Sequence, residues 1–446
     1  MNTPICDFVK KYARSSAIRL HMPGHKGVPV LGAEPLDITE IDGADVLYSS
    51  GGIIRESEEN AAKLFGAART VYSTEGSSLS IRAMLYLTAL YAKENGKRPI
   101  IAAGRNAHKA FLSAAALIDF EVVWLYSKTR GNMISCDITA ALLDEMLASM
   151  TELPCAVYIT SPNYLGGTAD ISGLSLVCHK HGVLLLVDNA HGAYLNFLSE
   201  SRHPMALGAD MCADSAHKTL PVLTGGAYLH ISKTAPHMFA EQCERAMALF
   251  ASTSPSYLIL QSLDSANRYL SSGYRQRLCK YERGIIGLKA SMIRHGYNVY
   301  QDEALKLTIL TKMVGYLGHE YAQKLLEYNV VCEFSDPDYC VLMFTPELGD
   351  DILTRLERVI AEIPIKDQIT AGSPHAVVSE AVMTPREAML SPSEVIPVSA
   401  ALGRVLADVN VSCPPAIPIV MCGEQIGNDA LRAFEYYGIT SVRVVK

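Results

Sequence analysis

Lys218 stands in Ser215-Ala216-His217-Lys218-Thr219, thirty residues after Asp188 in Asp188-Asn189-Ala190-His191-Gly192. An amine flanked by hydroxyls and an imidazole is a candidate Schiff-base lysine, because partial burial and neighbouring cations lower its pKa toward the neutral form. Pyridoxal phosphate needs both an acid for its pyridinium nitrogen and an amine for its aldehyde, so the pair says more than either residue. Alone, Asp188 reads slightly better as a cap of the next turn, and Lys218 as a surface charge. Asp188 with His191 as a metal pair lacks a nearby third ligand of the usual types, and no metal site is expected.

A phosphate cradle is offered by Gly76-Ser77-Ser78, which follows Glu75 and opens the amphipathic stretch Leu79 to Ala92. Backbone N–H groups at a helix start, with two hydroxyls, would receive a dianion and gain from the helix dipole. The P-loop pattern is absent, and Gly-Ser-Ser by itself is as readily an ordinary N-cap. His108, in Arg105-Asn106-Ala107-His108-Lys109, follows another strand-like run and presents a flat ring that could stack on a pyridine face. A lone loop histidine is more often a bystander. The four signals are jointly stronger because each supplies a different part of one cofactor site.

The elements that must position these residues are short β-branched runs alternating with helical patterns: Pro99 to Ala103, Glu121 to Tyr126, Ala156 to Thr160, Val183 to Val187 and Ala227 to Ile231. Such alternation predicts right-handed βαβ crossovers and a mainly parallel sheet covered by helices, an α/β core. Ser172 to Lys180 reads as a helix stopped by Gly182, which makes Val183 to Val187 a buried strand ending at Asp188. Ligands of open α/β sheets sit at the carboxyl ends of strands, where these residues fall. Beyond about residue 270 the texture changes, and a smaller α+β C-terminal domain is expected. The expected division is an N-terminal segment at 1–35, a large cofactor-binding domain at 36–280 and the smaller domain at 281–446.

The chain has 446 residues, 49% hydrophobic and 19% charged, so it can bury a large core. Its net charge of −7 comes without a dense basic block, which argues against a nucleic-acid partner. Mean hydropathy is +0.15, yet runs such as Ala83 to Ala92 are too short and too interrupted to span a bilayer. No membrane partner and a cytoplasmic location are expected. The 11 cysteines lack a CxxC pair and read as reduced, mostly buried thiols.

An ordered series of motifs runs along nearly the whole chain. It comprises His21-Met22-Pro23-Gly24-His25-Lys26-Gly27, Phe65-Gly66-Ala67, Gly76-Ser77-Ser78, Arg105 to Lys109, Val187 to Ala193, Ser215 to Pro221, Thr253-Ser254-Pro255-Ser256-Tyr257 and Thr384-Pro385-Arg386-Glu387-Ala388. The series resembles the Orn/Lys/Arg decarboxylases, fold-type-I pyridoxal 5'-phosphate enzymes related in fold to aspartate aminotransferase, in a short form without the N-terminal wing domain.

The resemblance implies decarboxylation of lysine, arginine or ornithine to the amine and CO₂. It makes Lys218 the Schiff-base residue, pairs Asp188 with the pyridine nitrogen and stacks His108 on the ring. Gly76, Ser77, Ser78, Ser215 and His217 would hold the phosphate, and His191 would lie near the cofactor's phenolic oxygen. Lys218, His191 and His217 are the candidate catalytic groups. Thr253 and Ser254 match a segment expected to reach a neighbouring subunit's site, which implies a homodimer or higher homo-oligomer acting on a small amino-acid substrate. Two departures bear on substrate: Glu75 where the family often has Asn, and Asp188-Asn189-Ala190-His191 where many members have Asp-Glu-Ala-His. The same cofactor site could serve transamination, and a non-catalytic regulatory homologue is the reading from another class.

Overall fold

Short runs, buried along all or nearly all of their length except at the edge run Glu121–Leu125, form the central sheet. The computed structural model describes residues 1–128, 134–410, 412–413 and 417–446. Strands β1 (Arg69–Ser73), β2 (Ile100–Gly104), β3 (Glu121–Leu125), β4 (Ala156–Thr160), β5 (Leu184–Asp188), β6 (Met211–Asp214) and β7 (Ala227–Ile231) lie in the order β1-β7-β6-β5-β4-β2-β3. β2 with β3 and β5 with β6 are parallel pairs, whereas β7 runs antiparallel to both β1 and β6. The expected mainly parallel α/β sheet is present. Two of its strands were not foreseen, because Arg-Thr-Val-Tyr-Ser carries a charge and Met-Cys-Ala-Asp has no β-branched residue.

The accompanying helices are α1 (Pro4–Ala13), α2 (Ile53–Phe65), α3 (Ser77–Glu94), α4 (Lys109–Ile118), α5 (Ala140–Ser149), α6 (Ile171–Lys180), α7 (Ala216–Thr219), α8 (His237–Ala248), α9 (Tyr257–Leu270) and α10 (Tyr274–Arg294). α6 ends close to where its pattern fails. Gly182 there takes φ +67, a left-handed turn that returns the chain into β5 without a Cβ clash.

The chain divides into two compact units. The first, Met1–Pro99 with Cys155–Val157 and Ile171–Arg277, holds α3 packed on β6 and β7, α6 on β5 and α2 on β1. Arg69 on β1 is 3% exposed, with its guanidinium 2.7 Å from Glu58 and 2.6 Å from Glu244. A buried cation needs such acceptors on both sides, since desolvation without them would cost several kcal/mol.

The second unit, Ile100–Pro154 with Tyr158–Asp170 and Leu278–Lys446, carries a three-stranded antiparallel sheet. That sheet is β8 (Lys306–Leu310), β9 (Phe334–Ser335) and β10 (Tyr339–Met343), with α11 (Gly318–Glu327) and α12 (Asp350–Glu362) in the same stretch of chain. Further on come α13 (Pro385–Leu390), β11 (Ser393–Pro397), β12 (Ser412–Cys413), β13 (Ile417–Pro418), α14 (Asn428–Tyr436) and β14 (Ser441–Val445). Leu165, Phe334, Val341, Leu406, Ile419, Phe434 and Val444 share one apolar core there. The Thr384-Pro385-Arg386-Glu387 motif has a local physical role. Thr384 Oγ1 accepts the Glu387 N–H at 3.1 Å and Glu387 accepts the Thr384 N–H at 2.9 Å, a capping box that starts α13 with proline at its first position.

Candidate active site

β5 reads Leu-Leu-Leu-Val-Asp, and its apolar run carries Asp188 to the carboxyl end of the strand at only 2% exposure. The Asp188 carboxylate accepts the Ala190 N–H at 3.3 Å, an Asx turn that redirects the chain toward His191. The capping reading of Asp188 is therefore true locally, without removing the acid from the strand end. β6 runs parallel beside β5, with Asp188 opposite Ala213. It leads through Asp214 and Ser215 into the short helix α7, which bears His217 and Lys218. Across these two strand ends Lys218 Nζ lies 3.2 Å from His191 Nε2.

The start of α3 is the part of the site with the character of an anion cradle. Gly76 caps it with φ +74, its N–H donates to Gly225 O at 2.7 Å, and nothing lies within 4 Å of the position a Cβ would take. Ser215 Oγ donates to Ser77 Oγ at 2.7 Å, so hydroxyls from two elements meet at the positive end of a long helix. Ser78 follows in the first turn of that helix, half-buried. Both the backbone N–H and Nδ1 of His217 face Gly226 O, at 3.1 and 3.0 Å. Burial pushes the His217 imidazole below its ordinary value, and neighbouring Lys218 pushes the same way. The ring is neutral near pH 7, with Nδ1–H donating and Nε2 left as the acceptor nitrogen.

Glu75 is exposed, and its Oε1 accepts the Ser252 N–H at 2.8 Å. It thereby ties the turn before α3 to the exposed loop of Thr253 and Ser254 in the same chain. His108, in the second unit, is the N-cap of α4, where its Nδ1 accepts the Ala110 N–H at 3.1 Å. The loop that carries it is anchored by Arg105, whose guanidinium is 2.9 Å from Glu424 and 3.3 Å from Ile419 O.

The donor set tests whether pyridoxal phosphate suits these residues. A phosphate dianion needs N–H groups and hydroxyls at a positive helix end, which the first turn of α3 with the hydroxyls of Ser77 and Ser215 would provide. A pyridinium nitrogen needs a carboxylate held away from water, and an aldehyde needs an amine, which are Asp188 and Lys218. The residues present fit the group.

Sequence reasoning passed over one neighbouring cluster. Asp214 is fully buried, 2.9 Å from His203 Nε2 and 3.4 Å from His230 Nε2, and it accepts the Asn189 amide at 2.7 Å. Burial alone would raise its carboxyl, but the two imidazoles hold it well below the usual carboxylate range. The signal in the sequence was faint: an acid immediately before Ser215 and a histidine inside a buried strand.

Residues 3–294 match the family model described as the Orn/Lys/Arg decarboxylase major domain, and residues 369–442 match its C-terminal domain. The arginine decarboxylase of Bacillus subtilis is 29% identical over 457 residues, covering 95% of this chain and 91% of that protein. The arginine decarboxylase of Halalkalibacterium halodurans is likewise 29% identical, over 95% of this chain and 91% of its own length. Among solved structures, the lysine decarboxylase of Francisella novicida superposes with TM-score 0.81 at 18% identity, over 100% of this chain and 81% of that one, which shows a shared fold.

Proposed function

The chain belongs to the Orn/Lys/Arg decarboxylase family and is a pyridoxal-phosphate-dependent decarboxylase of basic amino acids, and we propose that it takes arginine through a site built from Lys218, His191, Asp188, Ser77 and Ser215. The observation that carries this reading is the Lys218–His191 approach of 3.2 Å across the adjoining ends of β5 and β6. The two full-length relatives named for arginine favour that substrate among the three.

When bound, pyridoxal phosphate supplies an aldehyde that condenses with the substrate α-amine and a conjugated ring that takes up the electron pair left by departing CO₂. Asp188 keeps a proton on a ring nitrogen placed against its carboxylate. The hydroxyls of Ser77, Ser78 and Ser215, with N–H groups of the first turn of α3, hold the phosphate. His191 Nε2 exchanges a proton with Lys218 Nζ, so either group can deliver the proton that replaces the lost carboxylate at Cα. His217, neutral and fixed through Nδ1 to Gly226, presents Nε2 toward an anion's protonated form or a substrate N–H. His108 gives a flat ring for stacking, fixed at the start of α4 by the Ala110 bond.

A homodimer belongs to the same proposal. Ile18, Leu20, Val30 and Leu31 are 81% exposed or more, within one short N-terminal stretch, and such a strip is covered when two copies associate. Thr253 and Ser254, exposed on their loop, would then reach the partner's site. Co-refolding Lys218→Ala with a Thr253→Ala/Ser254→Ala chain should restore activity that neither parent has. Among the described residues no helix is long and apolar enough to cross a membrane, and we place the enzyme in the cytoplasm. The 36–280 and 281–446 division is also part of the proposal, with limited proteolysis as its check.

The deciding experiment supplies the purified protein and pyridoxal phosphate with arginine, lysine and ornithine in turn, and measures CO₂ and amine. Agmatine formation at the highest kcat/KM is expected. Faster turnover of lysine or ornithine removes the arginine assignment, and a keto acid without CO₂ replaces decarboxylation by transamination.

A further inference from the structure

We propose that Asn189 and Asp214 are a matched amide–carboxylate pair that positions the loop bearing Asp188 and His191 against the strand end bearing Lys218. The role given to that loop rests on the function proposed above, whereas the pair itself does not. Asn189 is 0% exposed, and its Nδ2 lies 2.7 Å from Asp214 Oδ1. A carboxylate can only accept, so the amide must turn its nitrogen toward it, and the oxygen is directed away. The backbone repeats the stitch, since Asn189 N–H donates to Ala213 O at 3.0 Å. Two residues on, His191 meets Lys218.

Asp214 is itself held from behind. Its second oxygen accepts from His203 Nε2 at 2.9 Å. His203 Nδ1 accepts the Met205 N–H at 3.3 Å, which turns Nε2 toward Asp214 as the donating nitrogen. His230 Nε2 stands 3.4 Å from the same oxygen, and its Nδ1 meets Thr70 Oγ1 at 2.8 Å. The Cys212 sulfur lies 3.8 Å from the oxygen that Asn189 uses, and the fully buried Tyr228 also faces the carboxylate. The negative charge is therefore stationary, and the loop is referenced to it through one amide. Gly192 makes room for this: a Cβ there would fall 1.9 Å from Asn189 Oδ1, and Gly192 N–H donates to Asn189 O at 2.8 Å.

The departure from Asp-Glu-Ala-His acquires a physical reason. Residue 189 faces Asp214, and a carboxylate at both positions would bring two like charges together without water. The pair requires one carboxylate and one amide, and in this chain the charge lies on Asp214, where His203 and His230 stand against its second oxygen. Exchanging them keeps the two principal bonds: a carboxylate at 189 accepts from an amide nitrogen at 214, whose oxygen still accepts from His203, and only the long Cys212 contact loses its acceptor.

The test compares wild type, Asn189→Asp, Asp214→Asn and the double exchange N189D/D214N. Its readouts are the Tm of the cofactor-free protein from pH 5.5 to 8.5 and kcat/KM of the loaded enzyme. In Asn189→Asp one buried carboxyl is forced to a raised pKa. Stability is then kept while that group is protonated and is lost as pH rises. We expect a Tm deficit of about 3 °C at pH 8.5 that shrinks toward pH 5.5, with kcat/KM lowered about tenfold. The double exchange should return the Tm to within about 1 °C of wild type across the range and recover most of the lost kcat/KM. If Asn189→Asp does not fold, recovery of a folded double variant supports the pair equally. A double variant no better than Asn189→Asp in cofactor-free Tm, or an Asn189→Asp protein with wild-type Tm at every pH, overturns the proposal. Absence of CO₂ release by all four proteins, with the Tm pattern as expected, would count against the decarboxylase reading and leave the pair standing.

Discussion

β5 and β6 lie side by side, run the same way and each end in a buried aspartate, yet the two aspartates have opposite surroundings. Asp188 opens onto a turn that carries His191 to Lys218, so its strand end faces the groups proposed to react. Asp214 is enclosed by His203, His230 and Asn189, so its charge is spent on fixing protein atoms. The residue type and its place on the strand do not separate the two roles. What separates them is where each carboxylate is directed: Asp214 receives His203, His230 and Asn189, which fix the scaffold, whereas Asp188 begins the turn that carries His191 to Lys218.

The contrast can be broken by substitution. The largest effect is expected for Lys218→Ala, which should lose turnover by roughly 10⁴-fold or more while its Tm stays at the wild-type value, as measured by CO₂ release and calorimetry. Asp188→Asn should follow with a loss of about 10²- to 10³-fold in kcat and an unchanged Tm, since a neutral amide cannot hold a proton on the cofactor ring. The reverse pattern is expected for Asp214→Ala. Leaving the His203 and Asn189 donors buried without an acceptor should cost about 3 kcal/mol in a denaturant melt, a larger loss of stability than either site variant shows. Equal stability losses at 188 and 214 would erase the distinction.

A pH series sharpens the same comparison. The folded carboxyl of Asp214 is held below its unfolded value, so the stability it adds is complete above about pH 3.9 and drains away as pH falls below that. Asp214→Asn should therefore lose Tm less steeply than wild type between pH 5 and pH 3. The smallest effect is expected for Glu75→Gln, which keeps an oxygen to accept the Ser252 N–H and removes an exposed charge near the anion site. A change within about threefold in cofactor affinity, in the direction of tighter binding, is the expected titration result.

Much of this arrangement could be read from residue order. Periodicity located β5, β7 and α6 to within a residue or two, because a strand covered on both faces must be apolar along its length and a helix must stop where glycine turns it. That Asp188, Lys218, Ser77 and Ser215 stand at element ends was legible because those ends are marked locally, and the cofactor chemistry asks for their residue types there. β1 and β6 were not, since a charge or a lack of β-branched residues hides a strand whose burial is decided by its neighbours. Asn189 looked like a lost carboxylate, and only tertiary structure showed that its side chain faces Asp214. That outcome depends on a strand pairing between segments more than twenty residues apart and on imidazoles arriving from the loop before β6 and from β7. Local propensity and turn chemistry act over a few residues and are written in the sequence directly. The saturation of a buried charge is a sum over distant donors, which exists only once the chain has folded.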